Sequence, residues 1–487
     1  MNDWLYRDRL AIWLATVCVL LTIVIAAMTG QMILLGAGMV TIMVAIQCWV
    51  RPPLSVTIAL LLCVSFAVLQ GLNTGEGLPV TITASDLALV LIVLGGWSGQ
   101  RQRYWGRVGI PKAAWLCILP LLVVVGVSGL TSVLTGSVAP TTVAVSVRVF
   151  MWYAAVPFMV SAMGRAETIR LARLAILTIG AALSALLIAT DFSPGLASLV
   201  GPAIGSSSRT VPGLSTQISR LYIPGMILVP TALGLALGDA ILTRRSRLSW
   251  RSVLLAALYA AGIVATFGRG MWISTALAVL AVFMLRSSTR SAARLAVLII
   301  LAFSLMVGGT AILGQVQAPS AGFTSLISQR LTSVSFNSEE QDANTAIRFL
   351  EMRETVAQVT GHEILGLGVA TAVGHDYGAI GSSTGRVVGV HNAYYFIYGK
   401  LGMAGLAALL CFVITTIGCG ISVLRSYGSR SNLAFGFLVG FLQGLISSWT
   451  QDTLVTLSGA VAMIACASAL IAMKYSSCLS YELSSHD

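Results

Sequence analysis

Arg269 lies in the stretch TFGRGMW and is the sole charged residue across 252–285, a segment that is otherwise mostly apolar. An arginine at a helix centre in a bilayer costs about 2.5 to 3.5 kcal/mol on the insertion scale, and less near the interface. Two things relieve that cost: headgroups to which the side chain snorkels, or an anionic ligand that the guanidinium grips with paired hydrogen bonds. Gly268 and Gly270 on either side permit a tight turn and close approach of such a ligand. Arg209, in SSSRTVPG, and Arg220, in ISRLYIPG, flank the start of the apolar run at 223–242 and carry the same two readings. Arg148 lies inside another apolar run, where it must face a partner or a wet cavity. Asp86 is the acidic residue nearest to it in depth, so a structural ion pair is one reading.

His391 opens HNAYYFIYGKLGMAG. Imidazole titrates near neutrality and can take a proton from a hydroxyl in a transition state, although a histidine before an interfacial helix is more often a cap or headgroup contact. Asn392 could cap that helix or orient a sugar. Tyr394, Tyr395 and Tyr398 suit an interfacial belt, and their ring faces also suit carbohydrate. The sequence has no P-loop, no G-x-G-x-x-G and no D-x-D on an outer loop, and His362, His375 and His391 lack the i, i+4 spacing of a helical metal site. Seven of the eight cysteines fall in apolar runs and none form a C-x-x-C pair, so neither a disulfide framework nor a thiolate metal site is indicated. A phosphate-bearing ligand would have to be held by arginines, whose planar guanidinium matches phosphate oxygens.

The elements that must position these residues are membrane helices. The 487 residues are 57% hydrophobic and 9% charged, far below the roughly 25% charge of a soluble chain, and the mean hydropathy is +0.90. Apolar runs long enough for a helix fall near 10–28, 32–50, 54–72, 81–97, 113–133, 143–163, 171–190, 223–242, 252–267, 270–285, 295–313, 394–424, 433–448 and 453–473. The first, preceded by Arg7 and Arg9 and followed by no cleavage site, reads as a retained span. The pair at 252–285 is short for two spans. Merging it into one would send Arg286, Arg290 and Arg294 outside, against the positive-inside tendency, so the pair is kept as a hairpin with Arg269 at its outer turn. That gives about 14 transmembrane helices with both termini cytoplasmic. The net charge of +12 then reflects cytoplasmic loops rather than nucleic-acid binding. Arg148, Arg209, Arg220, Arg269, Arg330, Arg348, Arg353, Arg386 and Lys400 remain in or beyond the outer half of the bilayer and need another reason.

The one sizeable interruption is 315–390. Within it, NTAIRFLEMRETVAQV puts Phe349, Met352, Val356 and Val359 on one helical stripe, with Arg348, Glu351 and Glu354 off it. This predicts a helix lying against the membrane or over a cavity. A glycine-rich stretch follows, suited to irregular backbone and a mobile flap. The chain divides at these points into N-terminal membrane helices (1–199), helices carrying the arginine turn (200–313), an outer loop (314–392) and C-terminal helices with a short tail (393–487).

Three of these motifs, in this order, resemble the O-antigen ligase and O-antigen/exopolysaccharide polymerase superfamily of bacterial membrane proteins: FGRG at 267–270, Arg348 leading a helix followed by GLG at 366–368, and the His391 and Asn392 pair before GKLGMAGLAALL. The similarity covers roughly 200–425. Gly268 stands where the family usually has serine. The resemblance implies an all-α polytopic fold akin to the C-type glycosyltransferases, in the bacterial inner membrane, with one large periplasmic loop and the active site facing the periplasm. It implies transfer of an oligosaccharide from undecaprenyl diphosphate to an acceptor glycan, with no cofactor and no metal. Arg269 would bind the diphosphate with Arg220 or Arg209, His391 would activate the acceptor hydroxyl, and Arg348, Asn392 and Tyr395 would bind the acceptor. A chain-length regulator is a further candidate partner. Polymerase, ligase to lipid A core, and protein O-oligosaccharyltransferase stay open, as does a flippase or transporter, although no matching halves of the kind many transporters show are visible. An arginine clamp predicts full activity in a chelator; strict dependence on a divalent ion in a glycan-transfer assay would contradict it.

Overall fold

The computed structural model describes residues 52–62, 84–101, 111–135, 138–192, 209–210, 219–220, 225–242, 249–266, 268–286, 342–376, 388–426, 429–451 and 453–475. In chain order the helices are α1 (Pro52–Leu62), α2 (Ala84–Arg101), α3 (Lys112–Leu116), α4 (Leu119–Leu134), α5 (Pro140–Met151), α6 (Val156–Met163) and α7 (Ala166–Phe192), then α8 (Leu228–Leu242), α9 (Trp250–Ala265), α10 (Arg269–Arg286), α11 (Asp342–Val359), α12 (Ala393–Leu424), α13 (Ser429–Ser447) and α14 (Leu457–Tyr475). Two pairs of two-residue strands, β1 (Arg209–Thr210) with β2 (Ser219–Arg220) and β3 (His375–Asp376) with β4 (Val388–Gly389), interrupt an otherwise helical chain.

Among the described residues, three helical stretches are long and apolar enough to cross a membrane: Lys112–Leu134, Ala166–Ala189 and Ala393–Leu424. The run expected at 143–163 is bent by 47° between Pro140–Met151 and Tyr153–Met163. Pro157, at the start of α6, brings no N–H to a helical ladder, so the chain turns there at little cost. Apolar helices also fall where the runs near 223–242, 252–267, 270–285 and 453–473 were expected. The pair at 252–285 is two separate helices, as the charge pattern required. The runs at 10–28, 32–50 and 295–313, together with Arg330 and Arg386, lie outside the described residues.

Between apolar helices in lipid, close backbone approach replaces the hydrophobic effect as the attraction. The α8/α13 contact shows this: a Cβ on Gly234 would come within 2.8 Å of Val439, and one on Gly238 within 2.5 Å of the Asn432 carbonyl oxygen. The four-residue spacing of Gly234 and Gly238 is matched on α13 by Gly436, Gly440 and Gly444. At the end of the bundle opposite the start of α8, Arg173 of α7 pairs with Asp239 of α8.

The α12 helix is broken at Gly402, whose backbone (φ 62°, ψ −161°) is not helical. A break inside a bilayer strands backbone N–H and C=O groups that water cannot reach. The loop after α11 fills the gap. Met403 and Ala404 donate their N–H groups to the carbonyls of Glu363 (2.8 Å) and Ile364 (3.0 Å), while Leu367 and Gly368 donate to the carbonyls of Gly399 (2.9 Å) and Lys400 (3.1 Å). Lys400, buried, donates from Nζ to the carbonyls of Val369 (2.7 Å) and Thr371 (2.9 Å) and lies 5.1 Å from the Phe396 ring centre. Ser128 of α4 accepts the Val369 N–H at 2.8 Å. The first part of the glycine-rich stretch, expected to be a mobile flap, is thus bolted into the helix bundle.

Gly366 has φ +70°, and a Cβ there would lie 2.6 Å from backbone atoms of Lys400, Leu401 and Gly402; Gly361, φ +88°, has nothing within 4 Å. Gly366→Ala should therefore lower stability by at least about 2 kcal/mol, and Gly361→Ala by only about 1 kcal/mol of backbone strain. Thermal unfolding in detergent checks the difference, and equal effects of the two would contradict the docking of the loop.

Candidate functional site

His391 sits just before α12 and is held by Glu351 of α11. One carboxylate oxygen of Glu351 lies 2.7 Å from His391 Nδ1, and the other accepts the His391 backbone N–H at 2.8 Å. The Glu351 side chain is 1% exposed and that of His391 48%, so the acid is buried and the imidazole reaches open space. Asn392 accepts the N–H groups of Tyr394 (3.0 Å) and Tyr395 (3.3 Å) through Oδ1. That is an N-cap, the first of its two sequence readings, and it fixes where α12 begins.

The grip of α11 on this region comes from one helical face. Glu351, Glu354 and Gln358 stand at i, i+3 and i+7. Glu354 meets His375 Nδ1 at 2.9 Å, and the Gln358 amide pairs with both the N–H (3.1 Å) and the carbonyl (3.0 Å) of Gly374. Of the apolar stripe, Val359 is fully buried within the protein, while Phe349 and Val356 are exposed. The polar face docks because it satisfies the backbone of the returning chain. The apolar face instead lines a groove with Tyr395 and Trp449, with Arg353 at its edge, so the expected cavity under this helix is present. Arg348, one turn before Glu351, is exposed as a residue, with its guanidinium partly withdrawn from water. Partial loss of water around its guanidinium lowers its pKa, and the Glu351 carboxylate opposes that shift.

Arg269 is the first residue of α10. The turn before it is fixed by the Gly268 N–H donating to Thr266 Oγ1 at 3.1 Å, and a Cβ on Gly270 would stand 2.9 Å from Thr450 Oγ1. The same connecting segment after α13 receives the start of α12: the Ala393 N–H donates to the Ser448 carbonyl (3.0 Å) and reaches the Gln451 carbonyl (3.4 Å). Tyr153, in the bend between α5 and α6, donates to the Leu454 carbonyl at 2.8 Å. The helix begun by Arg269 therefore packs closely against the same segment, 448–454, to which the helix that follows His391 is hydrogen-bonded.

A small cavity beside this segment is lined by residues 225–227 just ahead of α8, by Met271 of α10, by Gln443 and Ser447 of α13, and by Gln451, Thr453, Thr456 and Gly459. Three helices begin at its wall, α8, α10 and α14, and helix starts carry partial positive charge. The lining mixes apolar Met226, Ile227 and Met271 with neutral polar groups: Ser447 and Thr453 hydroxyls are 3.1 Å apart, and buried Gln443 donates to Ser274 Oγ at 3.2 Å. Arg209 and Arg220 face each other at one register position of the β1/β2 pair, the second of them five residues before the cavity wall.

Residues 254–410 match the O-antigen ligase family model. The O-antigen ligase segment covers about a third of the chain and takes in Arg269, Arg348, the GLG loop, His391 and Asn392, which supports the O-antigen ligase and polymerase superfamily. Arg209, Arg220 and the 448–454 connector lie outside it. No curated protein matches the chain.

Within the O-antigen ligase segment, Glu351 is the residue that the sequence did not single out. In sequence it belongs to the polar face of α11, and the signal it carries is a carboxylate at the start of a Glu351, Glu354, Gln358 stripe. The role of Lys400 was equally hidden, since a lysine that donates to backbone carbonyls leaves no pattern in sequence. Among the described residues no group of three His, Cys, Asp or Glu could hold a metal ion. The Asp86 side chain lies outside the described residues, so the suggested partner of Arg148 does too. The cap geometry predicts that Asn392→Ala lowers stability by about 1 kcal/mol while Asn392→Asp is close to neutral. Thermal unfolding measures both, and equal losses would mean that Asn392 does not act as a cap.

Proposed function

We propose that this chain is a metal-independent, inverting glycosyltransferase that moves an oligosaccharide from undecaprenyl diphosphate to an acceptor sugar hydroxyl, polymerising O-antigen or exopolysaccharide repeat units. The observation that carries this reading is the meeting of two helix starts, one begun by Arg269 and one following His391, at the same connector, inside or against the O-antigen ligase segment. Arg269, with Arg220 or Arg209, holds the diphosphate. His391 takes the acceptor proton, and Arg348, Asn392 and Tyr395 line the acceptor side, Asn392 through the helix start it caps.

The chemistry follows from charge. As the bond from the anomeric carbon to the diphosphate breaks, negative charge grows on the leaving oxygen, and fixed guanidinium groups and helix starts stabilise it where water is scarce. Direct attack by the acceptor oxygen from the opposite side inverts the anomeric centre. The charge pattern favours about 14 spans in the bacterial inner membrane, both termini in the cytoplasm, the loop of 314–392 and the site on the periplasmic side. A chain-length regulator would be a partner of such a polymerase.

The second reading, transfer to lipid A core, is favoured by the family's own description as an O-antigen ligase. Incubating the purified protein in detergent with lipid-linked repeat units, with and without core acceptor, separates the two. A ladder without acceptor means polymerase, a single addition to core means ligase, and no product in either arm contradicts both and leaves translocation. Arg269→Ala and His391→Ala should each cut product formation about 100-fold or more with unchanged melting temperature, and normal product lengths from both would refute the site.

A further inference from the structure

A buried charge is costly unless something requires it. On α11 the mechanical task of gripping the returning chain is already done by a neutral side chain, since Gln358 pairs with both backbone groups of Gly374. Glu354 adds a second hold through His375. A glutamine at 351 could also accept the His391 backbone N–H through its amide oxygen. The carboxylate at 1% exposure therefore calls for a reason that is specific to its charge.

The imidazole supplies that reason. Glu351 Oε1 and His391 Nδ1 are 2.7 Å apart, so a proton lies between them. An ionised carboxylate only accepts hydrogen bonds, so the proton belongs to Nδ1. In the neutral ring this makes Nε2 the basic nitrogen. We propose that Glu351 is a positioning residue for glycosyl transfer, holding His391 as the Nδ1–H tautomer so that Nε2 can accept the proton of the acceptor hydroxyl. The second carboxylate oxygen fixes the backbone at the same point, so ring and main chain are oriented together.

This rests on the transferase reading above and adds to it. In the step itself the acceptor oxygen forms a bond to the anomeric carbon, and the bond from that carbon to the diphosphate oxygen breaks with its electron pair going to the diphosphate. The hydroxyl proton passes to His391 Nε2, and the imidazolium so formed faces the Glu351 carboxylate at 2.7 Å until it returns the proton to solvent. Arg348 is another charged group whose field reaches that carboxylate.

Glu351→Gln tests the charge without removing the shape. The amide oxygen can still accept the His391 N–H, but its NH2 now donates to Nδ1, which moves the ring proton to Nε2 and blocks it as a base. The expected result is kcat lowered by about 100- to 10,000-fold, in the range that a triad carboxylate-to-amide change gives elsewhere, with KM for lipid-linked donor within about twofold and the melting temperature unchanged. A kcat within a few-fold of wild type, in an assay where His391→Ala is inactive, overturns the proposal while leaving the transferase reading intact. Nitrogen-15 NMR of histidine-labelled wild-type protein, with His391→Ala identifying its signal among the four histidines, gives an answer whether or not the variant folds. Protonation at Nδ1 alone is expected at neutral pH, and protonation at Nε2 overturns the proposal even if the enzyme is active. Absence of product from wild-type protein would count against the transferase reading and leave the tautomer result standing.

Discussion

A helix broken at a buried residue must find partners for its backbone, and in this protein the partner is a loop. Gly402 interrupts α12, and the carbonyls of Glu363 and Ile364 with the N–H groups of Leu367 and Gly368 take over the bonds that the helix gives up. Lys400 adds a buried ammonium to the same junction, which holds two more loop carbonyls. Because this exchange fixes 363–371 against α12, it also fixes the end of α11, four residues earlier. The Glu351 carboxylate is carried to His391 as a consequence. Backbone satisfaction at a buried helix break thus sets the position of an acid beside a base.

The second half of the site depends on a different device. The connector after α13 receives the start of α12, the start of α10 at Gly270 and the hydroxyl of Tyr153. Glycine contacts between α8 and α13 bring the start of α8 to the same place. Three helix starts, with their partial positive charge, meet beside the hydroxyls and amides of this segment, an arrangement that suits an anion.

Much of this was legible in the sequence where cost was high. An arginine alone in 252–285 demanded an explanation, and the charges at 286, 290 and 294 forced two helices there. The His391 and Asn392 pair was legible because a cap must precede an apolar run. What escaped was relational. The apolar stripe of α11 is visible from its periodicity, but the bonds that hold the helix come from its polar face, where Glu351, Glu354 and Gln358 find fixed partners in a chain segment 16 to 40 residues further on. Neither the partner of Glu351 nor the two carbonyls held by Lys400 is encoded in local spacing. The glycine spacing on α8 and α13 was visible as a pattern and its pairing was not.

The central claim is that the helix start at Arg269 and the imidazole of His391 serve opposite sides of one glycosyl bond. Cryo-electron microscopy of the protein with a lipid-linked oligosaccharide tests it most directly. The account predicts the diphosphate within hydrogen-bonding distance of the Arg269 guanidinium, with the first sugar between it and His391. Density for the diphosphate at the opposite end of the helix bundle, near Arg173 and Asp239, would contradict it.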